Sequence, residues 1–413
     1  MDSDSLTSTS SSLCDALSSL ALSQNDQSKD FASIPSDLDD TLLSKGKIEK
    51  GTLLNNGRYE VICSIGKGAF GKVVKALDYS TKQAVAIKII RNEPLFQSQA
   101  KSEIEILGFL REVDQEEGFF VKMLDTFIWR GVTCIVFEYL AKDFYQLLKE
   151  TNFQGFPLET IRIFAWQLLT GLSLLALPNM RVIHSDLKPE NIMLKTVDKA
   201  GIKIIDFGSS YKGAEAQFKC AQSRYYRAPE VLLGLPYNNQ IDMWSLGCIL
   251  IEMHTGRPLF PGCNSYDQMQ RIVNLRGFPN KNMIRNSQKA AQYFNIGEKI
   301  TMLEPYKPKS SKPKSIGEFI EKYGIWQEDY ISNQYFIDLI DKMLQLEPNK
   351  RITAQEALRH PFFFTMYPTL VKTVILSPKN SSKSVFPDSE FSSPFSKKST
   401  APSSNYSQDE GMM

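Results

Sequence analysis

The chain is poor in the features that would commit it to a special environment. No apolar run in its 413 residues approaches the ~20 needed to cross a bilayer. The start, Met1-Asp2-Ser3-Asp4-Ser5, is acidic and Ser-rich with no apolar stretch behind it, so no secretory leader is expected. Six cysteines (Cys14, Cys63, Cys134, Cys220, Cys248, Cys263) show no C-x-x-C spacing, which argues against a disulfide framework and fits reduced thiols in a cytoplasmic or nuclear compartment. Three histidines are too few to suggest a zinc site among such scattered cysteines. Charge of one sign is lacking as well. Lys+Arg of 48 against Asp+Glu of 46 leaves +2, which gives no global reason to expect nucleic acid or anionic membrane as a main partner. Hydrophobic content of 42% and charged content of 23% are those of a globular protein, long enough for two lobes.

Three stretches stand apart by composition. Residues 1–57 are rich in Ser, Asp and Leu and are expected to be a disordered extension; residues 366–413, with the pairs Ser377-Pro378 and Ser393-Pro394, are expected to be a disordered tail open to modification. Residues 304–315 form a Lys/Pro-rich insert whose prolines forbid regular helix, so an exposed loop is expected. Between them, residues 58–365 read as one folded unit. Alternation in Tyr59–Ile62, Val73–Ala76 and Ala84–Lys88 predicts a β-meander. Residues 97–112 then carry Ile104, Leu107 and Leu110 at helical spacing. Strands are expected at 121–129 and 133–138. Beyond Lys142 the pattern is helical to about Phe364, apart from short hairpins at 192–205. The expected fold is therefore α+β: a small β-rich lobe (58–138) joined to a larger α-helical lobe (142–365).

The chemistry-bearing residues fall in a fixed order. Gly66-Lys67-Gly68-Ala69-Phe70-Gly71-Lys72-Val73 is a G-x-G-x-x-G-x-V run, in which glycines let backbone N–H groups close over phosphates. A dinucleotide-binding turn would need a helix after the third glycine, whereas Lys72–Lys75 reads as strand. Val85-Ala86-Ile87-Lys88 supplies a strand lysine for phosphates. Glu103, beside the apolar Ile104, is the expected counter-ion, with Glu105 as its competitor; as a mere surface pair, Lys88–Glu103 would be worth only ~0–1 kcal/mol. Downstream, His184-Ser185-Asp186-Leu187-Lys188-Pro189-Glu190-Asn191 and Asp206-Phe207-Gly208 complete a set suited to phosphoryl transfer from ATP. Asp186 would orient or accept the proton of the attacking hydroxyl, Lys188 would stabilise the transferring phosphoryl, and Asn191 with Asp206 would hold Mg2+. The expected nucleotide site comprises Ile65, Gly66, Lys67, Gly68, Ala69, Phe70, Gly71, Val73, Ala86, Lys88, Phe137, Glu138, Leu140 and Asn191. Phe137 would narrow its rear, and Glu138 to Leu140 would meet the adenine edge.

With Ser223–Glu230 and Ile241–Gly247 added, residues 58–365 resemble the eukaryotic protein kinases. Asp206–Ser210, Gln222–Arg224, Pro229–Gly234, Glu252–Gly256 and Tyr306-Lys307-Pro308 narrow the resemblance to the dual-specificity tyrosine-regulated (DYRK) family of the CMGC group. The resemblance implies a bilobal fold, ATP and Mg2+ as cofactors, and protein substrates phosphorylated on Ser/Thr with proline favoured after the target. It also implies a Glu230–Arg351 pair bracing the activation segment, and Arg227 near the pocket for that proline. No membrane partner and no direct nucleic-acid role are expected, and a monomer is. Rival readings are a tyrosine-directed or dual-specificity kinase, a pseudokinase scaffold, and a nuclear binding protein acting through residues 304–315; Lys188 opposes the first, and intact Lys88, Asp186 and Asp206 oppose the second.

Departures from the family pattern are specific. Ser185 stands where most kinases carry arginine, and Tyr211 where the family has a cysteine. Phe218-Lys219-Cys220 replaces the activation-loop Tyr-x-Tyr, so the tyrosine that relatives autophosphorylate is missing. Arg257 stands where close relatives carry glutamate, which predicts weaker selection for arginine before the target, since Glu190 is left to attract it against a nearby cation.

Overall fold

Apolar and polar residues alternate from Arg58 onward, and the alternation becomes a sheet with two unlike faces. The computed structural model describes residues 48–68, 70–114, 118–213, 221–303, 313–325 and 330–364. Strands β1 (Leu53–Leu54), β2 (Tyr59–Gly68), β3 (Gly71–Asp78), β4 (Gln83–Ile90), β5 (Met123–Trp129) and β6 (Val132–Glu138) form one antiparallel sheet in the order β1-β2-β3-β4-β6-β5. One face carries Leu54, Tyr59, Val61, Val74, Ala76, Val85, Ile87, Val132, Cys134 and Val136 in a core of its own. From the other, Ile135 and Phe137 join the main core beneath α1 (Pro94–Val113). The sheet begins ahead of Arg58: Leu54, fully buried opposite Tyr59, belongs to it, so order extends into the region expected to be a disordered extension. The rest of that region described here is 48–57. Residues 1–47, the tail from 365 and most of the Lys/Pro-rich insert (304–312) lie outside the described residues.

Helix α1 starts at Pro94, placed in the first turn where a missing N–H costs nothing. Its buried stripe is Ala100, Glu103, Ile106, Leu107 and Leu110, so a carboxylate sits in an otherwise apolar row. Ile104, expected inward, is only partly buried, and Glu105 is exposed.

The second lobe is helical. Helices α2 (Phe144–Glu150) and α3 (Leu158–Leu175) precede β7 (Val182–Ile183) and the hairpin β8 (Ile192–Leu194) and β9 (Ile202–Ile204); β10 (Tyr211–Lys212) pairs with β7. Then come α4 (Pro229–Leu232), α5 (Gln240–Thr255) and α6 (Ser265–Arg276). Every residue of α5 is buried, the mark of a helix that other elements pack around on all sides. A further hairpin, Phe294–Ile296 with Ile300–Met302, lies where only helix was expected. Its strands are three residues each, too short for an alternation to register. No helix among the described residues is long and apolar enough to cross a membrane.

One ion pair ties the lobe's ends together. Arg351 Nη1 and Nη2 donate to Glu230 Oε1 (2.7 Å) and Oε2 (3.0 Å), and the remaining guanidinium protons go to the carbonyls of Gln240 and Gln345. Both side chains are essentially inaccessible, at 0% and 1%. Removing one partner strands the other charge in the core. Arg351→Met is expected to cost about 3–5 kcal/mol, and adding Glu230→Leu to recover part of that loss, as chemical denaturation would read.

Candidate active site

The glycine-rich turn joins β2 to β3, and two register shifts in β2, after Val61 and after Ser64, bend the strand over the site. Of its three glycines only Gly71 is demanded by the protein itself: φ is +145°, and a Cβ there would lie 1.9 Å from the Ile89 carbonyl oxygen. Gly68 faces open space, which leaves its backbone free to approach a ligand. Ala69 lies outside the described residues. Phe70 turns inward, its ring edge-on to Phe96 and 5.6 Å from Lys88 Nζ.

Lys88 is the meeting point of the two lobes. Its Nζ donates to Glu103 Oε1 (2.9 Å) and Oε2 (2.8 Å) and to Asp206 Oδ1 (2.7 Å). Burial by itself would lower the lysine's pKa, but the two carboxylates hold it above its ordinary value. Burial opposes ionisation of Asp206 as well, and Lys88 overcomes it, taking that carboxyl down to about 2. Gly208 makes the cluster possible: a Cβ there would stand 3.1 Å from Lys88 Nζ and 3.2 Å from Glu103 Oε2. Asp206 itself has φ +62°, the turn that aims its carboxylate at Lys88 while Phe207 drops into the core against Phe120 and His184.

Asp186 lies in a tight knot of donors. Lys188 Nζ gives to its Oδ2 (2.8 Å), and Asn191 Nδ2 to its carbonyl oxygen (2.8 Å). The Ser223 hydroxyl and amide give to its Oδ1 (2.7 and 3.0 Å). With its amide group spent on Asp186, Asn191 keeps its side-chain oxygen for other partners. That oxygen and the ionised Asp206 are the hard donors a magnesium ion takes, one or two from protein and the rest from water and phosphate. No cluster of three or more His, Cys, Asp or Glu suited to a metal exists among the described residues. Behind the sheet strands, Phe137 pairs with Ala86 across β4 and β6, and Leu140 is buried. Ile65, Gly66, Lys67 and Val73 line the glycine-rich hairpin.

Three contributors were legible in the sequence only as motif residues, with no role attached, because each makes contacts to residues distant along the chain. Ser223 is the first. Asp242, in α5, is the second: its carboxylate accepts the amides of His184 (2.8 Å) and Ser185 (3.0 Å), fixing the catalytic loop, in which Ser185 has φ +68°. Gln222 is the third, its side chain bonded to the Tyr226 and Ile241 carbonyls, the Ser245 hydroxyl and the Ala228 amide. Arg227, expected near the site for the following proline, donates to the Ala221 and Gln222 carbonyls. Arg257 stacks its guanidinium on Tyr323, 5.1 Å from the ring centroid. Cys220 lies outside the described residues.

These are the parts of a protein kinase, and the protein kinase domain profile matches residues 59–363; the chain belongs to that family. Within it the chain is DYRK-like. It is 41% identical over 318 residues to the dual specificity tyrosine-phosphorylation-regulated kinase 3 homolog of Drosophila melanogaster, which covers 74% of this chain and 38% of the relative. To dual specificity tyrosine-phosphorylation-regulated kinase 2 of the same species it is 38% identical over 351 residues, or 84% of this chain and 47% of the relative. The chain thus spans less than half the length of either relative.

Burial pushes the Asp242 carboxyl up to about 6, against the pull of His184 and the two amides it accepts. A folded-state pKa above the ordinary value means that protonation here favours the fold, so the contribution of this group to stability is least above about 6 and is recovered as pH falls through that value. Stability to chemical denaturation is expected to show a limb that rises, through this group, as pH drops through about 6, with hydrogen-exchange protection of the His184 and Ser185 amides kept. Asp242→Asn should lack that limb.

Proposed function

We propose that the chain is a serine/threonine kinase of the DYRK type, transferring the γ-phosphoryl group of Mg-ATP to Ser/Thr hydroxyls with proline favoured after the target. The observation that carries this reading is the Ser223 hydroxyl 2.7 Å from Asp186 Oδ1. The Asp186 carboxylate thus accepts an aliphatic hydroxyl on one oxygen and the Lys188 ammonium on the other, which supports a role in orienting a substrate hydroxyl. Magnesium, when bound, would supply positive charge against the triphosphate. Asp206 and Asn191 would hold it, Lys88 would fix the phosphates, and Glu103 would keep Lys88 in place. Asp186 would take or orient the hydroxyl proton, and Lys188 would offset charge on the transferring group.

The proline preference is supported by Gln222. Its φ is +66°, and its carbonyl oxygen is taken by Arg227 Nη2 at 2.7 Å and Nε at 3.1 Å. A substrate residue following the target would find that acceptor occupied, which penalises any residue with an N–H to satisfy and spares proline.

Two tests follow from these assignments. Asp186→Asn is expected to keep nucleotide binding while turnover falls by at least ~10²-fold, whereas Asp206→Asn should lose metal-dependent binding as well. An Asp186→Asn protein with near wild-type turnover would remove the assignment. Independently, Arg227 is satisfied by backbone carbonyls and needs no phosphate to order it. Tyrosine-phosphatase treatment of the bacterially expressed protein should therefore leave most activity; loss of most activity together with phosphate on Tyr211, Tyr225 or Tyr226 would contradict this.

A further inference from the structure

An ion pair bridges the nucleotide connector to the strand that leads to Asp206, and none of the roles assigned so far uses it. Lys203 lies in β9, 8% exposed, and its ammonium pairs with Glu138 Oε1. Glu138 is the last residue of β6 and the first of the connector that would meet the adenine edge. The same Oε1 accepts the Lys122 amide at 2.7 Å, and the Glu138 amide donates to the Lys122 carbonyl at 3.1 Å. Strand β9 is gripped from its other side too: the Val121 amide donates to the Ile204 carbonyl (3.0 Å) and the Ile204 amide to the Phe119 carbonyl (2.8 Å). Two residues beyond Ile204 stands Asp206.

A second carboxylate completes the group. Asp114 ends α1, accepts the Phe120 amide on Oδ2 at 2.9 Å, and leaves Oδ1 buried without a hydrogen-bond partner. Lys203 acts on it electrostatically and favours its charged form, against the burial that raises its pKa. One ammonium therefore stands among the end of the helix that carries Glu103, the connector, and the strand that leads to Asp206. A buried ion pair is poor insurance for stability, because desolvation consumes most of the attraction, but it holds a geometry well.

We propose that Lys203 is a positioning residue for the nucleotide: by holding the Glu138 side chain it fixes the angle at which the backbone of Glu138 to Leu140 meets the adenine edge. The proposal rests on the nucleotide-site reading above. Without the ammonium, Glu138 is steadied through its carboxylate only by the Lys122 amide, and its side chain, 27% exposed, is free to turn to water. The connector then spends part of its time at angles that cannot pair with the base, which weakens nucleotide binding more than it slows a bound complex.

The test uses the full chain, titrated with a fluorescent ATP analogue in the presence of Mg2+ and assayed with a peptide substrate. Lys203→Met is expected to raise Kd and the KM for ATP roughly tenfold with kcat changed less than about threefold. Glu138→Gln should do the same, the double variant should be no worse than either alone, and Lys203→Arg should recover most of the affinity. Wild-type binding together with unchanged or tightened binding in Lys203→Met and Glu138→Gln would overturn the proposal alone. So would equal losses in kcat and affinity that track a lowered melting temperature, since these mark a merely structural role. Wild-type protein that bound no nucleotide would overturn the underlying reading and the proposal with it.

Discussion

The Lys88 ammonium, held between Glu103 and Asp206, is the interaction on which the rest of the site depends. A buried ammonium is costly unless it is paired, and here both partners come from other elements: Glu103 from α1, Asp206 from the turn after β9. Helix α1 is therefore bound to the sheet by charge as well as by Leu107 and Leu110. Swinging α1 outward would drag Glu103 from Lys88 or strand one of them. The same cluster crowds any Cβ at Gly208, and Phe207 turns inward, where its ring meets Phe120 and His184. His184 in turn hangs from Asp242 by its amide, so the cluster is continuous with the central helix of the large lobe.

The small lobe's geometry serves that cluster. β4 places Lys88 opposite Ile135, two positions from the Ala86–Phe137 pair, so the expected phosphate anchor and the residue paired with the expected rear wall lie at alternate positions of one strand. At the open edge, Arg58 joins Asp78 and Asp125, and Tyr59 adds its hydroxyl to Asp125, linking the ends of β2, β3 and β5. In the large lobe, α5 supplies Asp242 to the catalytic loop, Ser245 to Gln222 and Glu252 to Tyr226. One buried helix thus holds the catalytic loop and the segment that would face substrate.

What could be read from the sequence were the parts whose chemistry lies in local order. The glycine run, Lys88, the His184–Asn191 loop and Asp206–Gly208 declare themselves by residue type and spacing, and the two-lobed fold follows from the change of hydrophobic period near Lys142. Glu103 was legible from its place beside Ile104, although the buried stripe runs through Ala100, Ile106, Leu107 and Leu110 and leaves Ile104 at its margin. The Glu230–Arg351 pair came from the resemblance alone. Ser223 on Asp186, Asp242 under His184, and Lys203 on Glu138 join residues dozens of positions apart, and no periodicity marks them. The early strand at Leu53–Leu54 was hidden because two residues carry no alternation. Polar side chains in cores are where the linear pattern says least, since a buried Asp or Lys looks like any surface charge until its partner is known.

The proposed transfer of phosphate to serine or threonine rests on Lys88 paired with Asp206 and on Asp186 held by the Lys188 ammonium and the Ser223 hydroxyl. Its most direct measurement is phosphorylation of an arrayed peptide library by the purified protein with Mg-ATP, run beside the Lys88→Met protein. The account predicts incorporation into Ser/Thr peptides enriched for proline after the target, and none above background for the variant. Incorporation mainly into tyrosine, or equal signals from both proteins, would contradict it.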